Sequence, residues 1–180
     1  MPDASYEYLS DMRTQFAKLR TMAEQAMAQV GDDDFARMLD PENNSIAIIV
    51  KHISGNLRSR CTDFLTSDGE KPDRDRDGEF VLQPRDTRAH LLSEWAAAWA
   101  LLAATVEALT AQDVHRTIYI RAEAHKVGQA LTRHLGHLAY HVGQIVLLAR
   151  HWLGSEWQTV SIPRGQSRTF TQAKQEQLAK

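Results

Sequence analysis

A single cysteine, Cys61, stands among 180 residues, so no internal disulfide can form and the fold rests on its core. The N-terminus has neither a basic n-region nor an apolar h-region. No secretory signal is visible there, and a reducing cytoplasm is the expected compartment. Charge of one sign is scarce too: the formal net charge is -2, with lysine and arginine spread along the chain. Neither a phosphate backbone nor an anionic lipid surface is therefore an expected partner. The longest apolar stretches, such as Trp95 to Val106, hold too few residues to cross a bilayer, and their alanines suit close helix packing. No internal repeat, no low-complexity segment and no convincing strand pattern is visible.

What is present is helical periodicity. From Tyr6 to Val30 the apolar residues Leu9, Met12, Phe16, Leu19, Ala23 and Ala26 step by three and four, and Gly31 with three aspartates is expected to stop that helix. Asn44 or Ser45 can cap a second helix carrying Ile46, Ile49, Val50, Ile53, Leu57, Cys61 and Phe64, closed by Ser67-Asp-Gly69. Asp86 or Thr87 can cap a third, with Leu91, Trp95, Trp99, Leu102, Val106 and Leu109 on one face, fading near Gln112. The fourth has the most regular pattern: Val127, Leu131, His134, Leu138, His141, Ile145, Leu148 and Trp152, ending before Gly154. Four long amphipathic helices predict an all-α four-helix bundle in one domain, 1–180, with the bundle over about 5–154 and a tail over 155–180. The long connection over 68–86 lets the second and third helices run parallel, and a connection of that length is usually functional or mobile.

The histidines carry the chemistry. His137 and His141 are four residues apart in a helical segment, about 6 Å along the axis and nearly on one face, so both imidazoles can converge on one cation. His134 and His141 stand about 10 Å apart along the axis and cannot share an ion. The usable pairs are His134 with His137, or His137 with His141. Three neutral imidazoles suit zinc, nickel or iron, and a site with three protein ligands leaves a position open. His52 lies at the flank of the second helix's apolar stripe, beside Ser45 and Asn56, which suits a solvated side or the wall of a polar pocket. Spacing alone leaves two readings open, metal ligands or partly buried histidines bonded to backbone and carboxylates.

Four blocks, in order, narrow the choice: Lys51-His-Ile-Ser-Gly-Asn-Leu-Arg-Ser-Arg60; Thr62 to Pro72 with Asp77-Gly-Glu-Phe80; His141-Val-Gly-Gln-Ile145; and Ser161-Ile-Pro-Arg-Gly-Gln-Ser167. Together they resemble the DinB/YfiT-like superfamily, with its DUF1572 branch as the nearest match. The resemblance implies a four-helix bundle in which His52, His137 and His141 hold a divalent metal, zinc or nickel first, with iron or manganese as alternatives. It also implies a homodimer, and relatives that transfer or process small thiols. Asn56 and Gln144 follow on adjacent faces, and either could bond a metal-bound water or orient an imidazole from behind; for each, an ordinary surface amide is the competing reading.

Other signals read as structure. Asp73-Arg-Asp-Arg-Asp-Gly78 imitates the start of a calcium loop, but its twelfth position is Pro84, where a glutamate is needed. The loop reads either as a solvated, ion-paired segment or as a lid that brings an Arg or Asp to the pocket mouth. Cys61, Trp95 and Trp99 fall on core stripes, and His90, His115 and His125 read as surface residues, with His151 placed at a helix C-terminus. No carboxylate stands near the histidines in the sequence, so hydrolysis lacks an identified proton acceptor. The expectation is a metal-dependent enzyme acting on a small molecule, by thiol chemistry or hydrolysis; the alternative is a non-catalytic dimeric module whose metal is structural or adventitious.

Overall fold

A computed structural model describes residues 4–178, which form a predominantly helical fold. Its four long helices are α1 (Ala4–Met27), α3 (Ile46–Cys61), α4 (Arg88–Ala108) and α5 (Val127–Leu153). A short α2 (Asp32–Ala36), an antiparallel hairpin of β1 (Thr117–Ile120) and β2 (Glu123–Lys126), and an exposed α6 (Ser167–Leu178) complete the described elements. Helix α1 packs on α5 and α4, and α3 packs on α4 and α5. Leu9, Phe16, Ile49, Ile53, Leu57, Trp95, Leu102, Leu138 and Ile145 fill the space between them.

Local chemistry sets most boundaries. Ser45 Oγ accepts the amide of Ile48 and Thr87 Oγ1 that of His90, so each hydroxyl satisfies an orphan donor of the first turn of α3 or α4. Gly154 takes a positive φ of 54° at the end of α5, where a side chain would be strained. Other boundaries depart from expectation. Gly31 has φ -75° and caps α2, so the three aspartates occupy a helix first turn, where their charge is favoured, instead of a terminating loop. Helix α3 stops at Cys61, several residues before Ser67-Asp-Gly69, because the backbone turns extended at Thr62, ψ 126°, and Asp63 turns to φ 49°. Helix α4 is long and apolar enough by composition to cross a membrane, which the run Trp95 to Val106 understates; a third of that window is buried. Alanines on its outer face raise the hydropathy, while Leu91, Trp95, Trp99, Leu102 and Val106 sit in the core.

The hairpin is the main departure. Its turn residues Arg121 and Ala122 both have positive φ, 56° and 60°, a conformation that normally draws Asn-Gly. Asp68 holds them: Oδ1 accepts the Arg121 amide at 2.8 Å and Oδ2 the Ala122 amide at 2.7 Å. Next to it, the Gly69 amide donates to the Tyr119 carbonyl, and Ser59 Oγ and Arg60 Nη1 donate to the Gly69 carbonyl. The connection between α3 and α4 is thereby sewn to the hairpin on one side and to α3 on the other. A 3-10 turn, Asp77–Phe80, then brings the same connection back against α3.

Candidate metal centre

His52 projects from the middle of α3, and His137 and His141 from successive turns of α5. One ligand-capable atom from each lies within 4.8 Å of the other two. The Nε2 atoms of His52 and His137 are 3.3 Å apart, close to the roughly 3.3 Å that two nitrogens subtend on a tetrahedral ion at zinc–nitrogen distances. The three rings face one another nearly edge to face, with centroids 4.7 to 5.4 Å apart.

Two of the three rings are held from behind. His52 Nδ1 donates to Glu79 Oε2 at 2.8 Å, and His141 Nδ1 donates to Gln144 Oε1 at 2.7 Å. Each bond fixes a tautomer whose Nε2 keeps its lone pair, the arrangement that orients imidazoles toward a cation. Charge state agrees. Burial, reinforced by the neighbouring His141, pushes the His137 imidazole down to about 3, and burial lowers His141 against the opposing bond from Gln144. Both are neutral near pH 7, as ligands must be.

Glu79 is the residue that sequence reasoning missed. It is 6% exposed and is gripped by a two-point ion pair from Arg74, Nε to Oε1 at 2.8 Å and Nη2 to Oε2 at 2.9 Å. Burial alone would raise its carboxyl; the bonds from His52 and Arg74 prevail and hold it below the ordinary carboxylate value. The acid comes from the 3-10 turn, 27 residues from His52 in the chain. The available signal was its place in Asp77-Gly-Glu-Phe80, one of the blocks that carry the family resemblance. Glu79 can come so near α3 because residue 55 is glycine: a Cβ there would collide with the Glu79 carboxylate. The next residue, Phe80, lays its ring on His52 at 4.8 Å between centroids.

The remaining predicted residues separate. His134 does not join the cluster; its ring meets Phe16 of α1 edge to face, and its buried Nε2 has no hydrogen-bond partner among the described residues. Burial, with Arg60 and Arg133 nearby, pushes it down to about 4. Asn56 does not touch the three histidines by any hydrogen bond, but it is buried beside His52 with its Oδ1 unpartnered among the described residues. Cys61 is buried in the core, its thiol pushed up to about 12 by burial, and is unsuited to nucleophilic work. His125 is half-buried, where a surface position was expected, whereas His90 and His115 are exposed. In the loop, Asp73, Asp75 and Asp77 are exposed, while Arg74 and Phe80 line the site.

The three histidines open into a cleft of about 440 Å³ whose wall includes Asn56, Tyr140 and five arginines. That volume is in the range of small-molecule sites.

The sequence model of one family, described as "Protein of unknown function (DUF1572)", matches residues 3–166. The chain belongs to the DUF1572 family. The match spans every element from α1 to the residue before α6, including His52, Glu79, His137 and His141. Neither the search of curated proteins nor that of solved structures gave a match.

Proposed function

We propose that this DUF1572 protein is a metal-dependent enzyme built on a DinB/YfiT-like four-helix bundle, with His52, His137 and His141 as the ligands of one divalent ion. The observation that carries the reading is the pairing of a converging histidine triad with outer bonds: Glu79 and Gln144 occupy the far nitrogens of His52 and His141. Imidazole donors favour zinc or nickel, with iron or manganese next. An ion held by three side chains beside a cleft supplies Lewis acidity to an oxygen or sulfur atom of a substrate. The protein's own part is to keep His137 and His141 neutral, to hold His52 and His141 in place from behind, and to shield one side of the site with Phe80 and the Arg74–Glu79 pair. Thiol transfer and hydrolysis of a small molecule are the two reaction classes this arrangement serves. A cytoplasmic homodimer completes the proposal.

No fourth histidine, cysteine or carboxylate joins the triad among the described residues, which favours an open, reactive site over a closed structural one. The test is elemental analysis of untagged protein and of alanine variants at His52, His134, His137 and His141. About one ion per chain, lost on replacing His52, His137 or His141 and kept on replacing His134, is the expected result. Equal loss at His134 and His137 overturns the ligand set. Protein that also fails to take up added zinc or nickel overturns the metalloenzyme.

A further inference from the structure

The arginines of the cleft divide into two groups. Arg60 and Arg74 are almost enclosed and spent on internal partners: Arg60 pairs with Glu70 at 3.0 Å, and Arg74 bridges Glu70 and Glu79. Arg76, Arg121 and Arg133 stand at the mouth with their charge less matched. Arg76 lies over the Phe80 ring, 5.2 Å from its centre, and its nearest carboxylate is the fully exposed Asp77 at 3.8 Å. Arg121 is half-exposed and shares Glu70 with Arg60 and Arg74. Arg133 has no carboxylate or hydrogen-bond partner among the described residues and projects one turn before His137 on α5. Of the five lining arginines, Arg60, Arg74 and Arg121 are bonded to two carboxylates, Glu70 and Glu79, while Arg76 and Arg133 are not, so surplus positive charge gathers at the opening.

The backbone supports the same placement. Arg121 is one of three non-glycine residues with positive φ among the described residues, and Asp68 holds it there through the two turn amides. A side chain in that conformation is unfavourable and is kept only where the surroundings impose it. The strained turn sets Arg121 on the wall of the cleft. Within the same wall, the buried Asn56 amide has an unpartnered oxygen, and the Tyr140 ring is exposed.

We propose that Arg76, Arg121 and Arg133 form an oxyanion-binding rim over the histidine triad, so that the substrate is a small organic anion bearing a carboxylate or phosphoryl group. Guanidinium groups suit both, since their planar donors match two oxygens at once. The anionic group anchors at the rim while the rest of the molecule reaches the triad; the unpartnered Asn56 oxygen accepts a donor from its uncharged part. This rests on the metal-centre reading for the direction of the substrate, but not for the existence of the rim.

Isothermal titration calorimetry tests it, on the full chain with its metal content measured in parallel. The probes are inorganic phosphate, acetate and neutral acetamide, each run on zinc-loaded and metal-free protein, at low and at 0.5 M salt. The variants are the wild type and Arg76→Gln/Arg121→Gln/Arg133→Gln, whose helical circular dichroism is checked first. The expected result is saturable binding of phosphate or acetate but not acetamide, weakened by salt and by tenfold or more in the triple variant, with metal content unchanged. Preference for phosphate or for acetate identifies which oxyanion the rim selects. Anion binding in metal-free protein that persists when no metal can be loaded sustains the rim and removes the metalloenzyme. Metal at about one per chain with no saturable anion binding, or with binding unaltered by the triple replacement, overturns the rim alone. Should the triple variant misfold, Arg133→Gln alone, at an exposed position without partners, must still weaken binding by threefold or more; an unchanged affinity overturns the proposal.

Discussion

Glu79 accepts a hydrogen bond from His52 in the protein interior, joining the connection between α3 and α4 to the face of α3 that carries His52 of the histidine triad. The bond does two things: it fixes which imidazole nitrogen faces His137, and it places a charged group that is paired with Arg74.

Replacing Glu79 therefore acts on both. Glu79→Ala leaves the buried Arg74 without its main partner, a loss of about 3–5 kcal/mol for a broken buried pair. It also weakens metal binding by about 10–100-fold, the usual effect of removing a carboxylate behind a histidine ligand. Glu79→Gln keeps the acceptor and loses the charge, so its effect on metal affinity should be smaller than that of alanine. Chelator competition and urea unfolding measure the two losses separately.

Gly55→Ala should reproduce the metal defect without touching a polar group. Alanine favours a helix interior by about 1 kcal/mol over glycine, yet its Cβ would occupy the space of the Glu79 carboxylate. The expected variant keeps its helical content and binds metal as weakly as Glu79→Ala. In the double variant Gly55→Ala/Glu79→Ala the metal affinity should fall no further. An additive loss would place the effect of Gly55 elsewhere.

Acid should destabilise the metal-free fold through its histidines. His134 is held neutral down to about 4 and His137 down to about 3, against an ordinary 6.5 in the unfolded chain. Between those values the unfolded chain binds more protons, so the stability present above about pH 6.5 declines as pH falls toward 4, by up to about 1.4 kcal/mol per pH unit for each group. His134→Phe removes one such group from a pocket already lined by Phe16. Urea midpoints at pH 7 and pH 5 should lie closer together in this variant than in the wild type.

The hairpin turn stores strain that a glycine would relieve. Ala122→Gly removes the left-handed penalty at that position, about 1 kcal/mol, and should raise the denaturation midpoint. Asp68→Ala removes the acceptor of both turn amides and should lower it. If the midpoint is unmoved in both, the turn is not held as described.

The helices were legible because their apolar residues recur at three and four with caps in place. Ser45, Thr87 and Gly154 mark boundaries that the structure reproduces. The convergence of His52 on His137 and His141 was legible through the order of the family blocks and not through spacing, which gave His134 an equal claim. The hairpin was hidden because Arg121-Ala122 carries no turn signature; its conformation is imposed by Asp68, 53 residues away. Glu79 was hidden for the same reason. Its charge and loop composition point to solvent, and only the pairing with Arg74 and the missing Cβ at position 55 bring it inside.

The connection that carries Glu79 is fastened at discrete posts. Asp68 and Gly69 grip the hairpin, Arg74 and Glu79 grip each other, and Phe80 rests on His52. Between the first posts, Lys71 and Arg74 close a tight turn whose tip, Pro72-Asp73, is exposed. Added chain would extend outward from that tip, so it is where this fold can accept an inserted tag or loop without loosening the site; the same insertion one post earlier or later would pull on Asp68 or Glu79 directly.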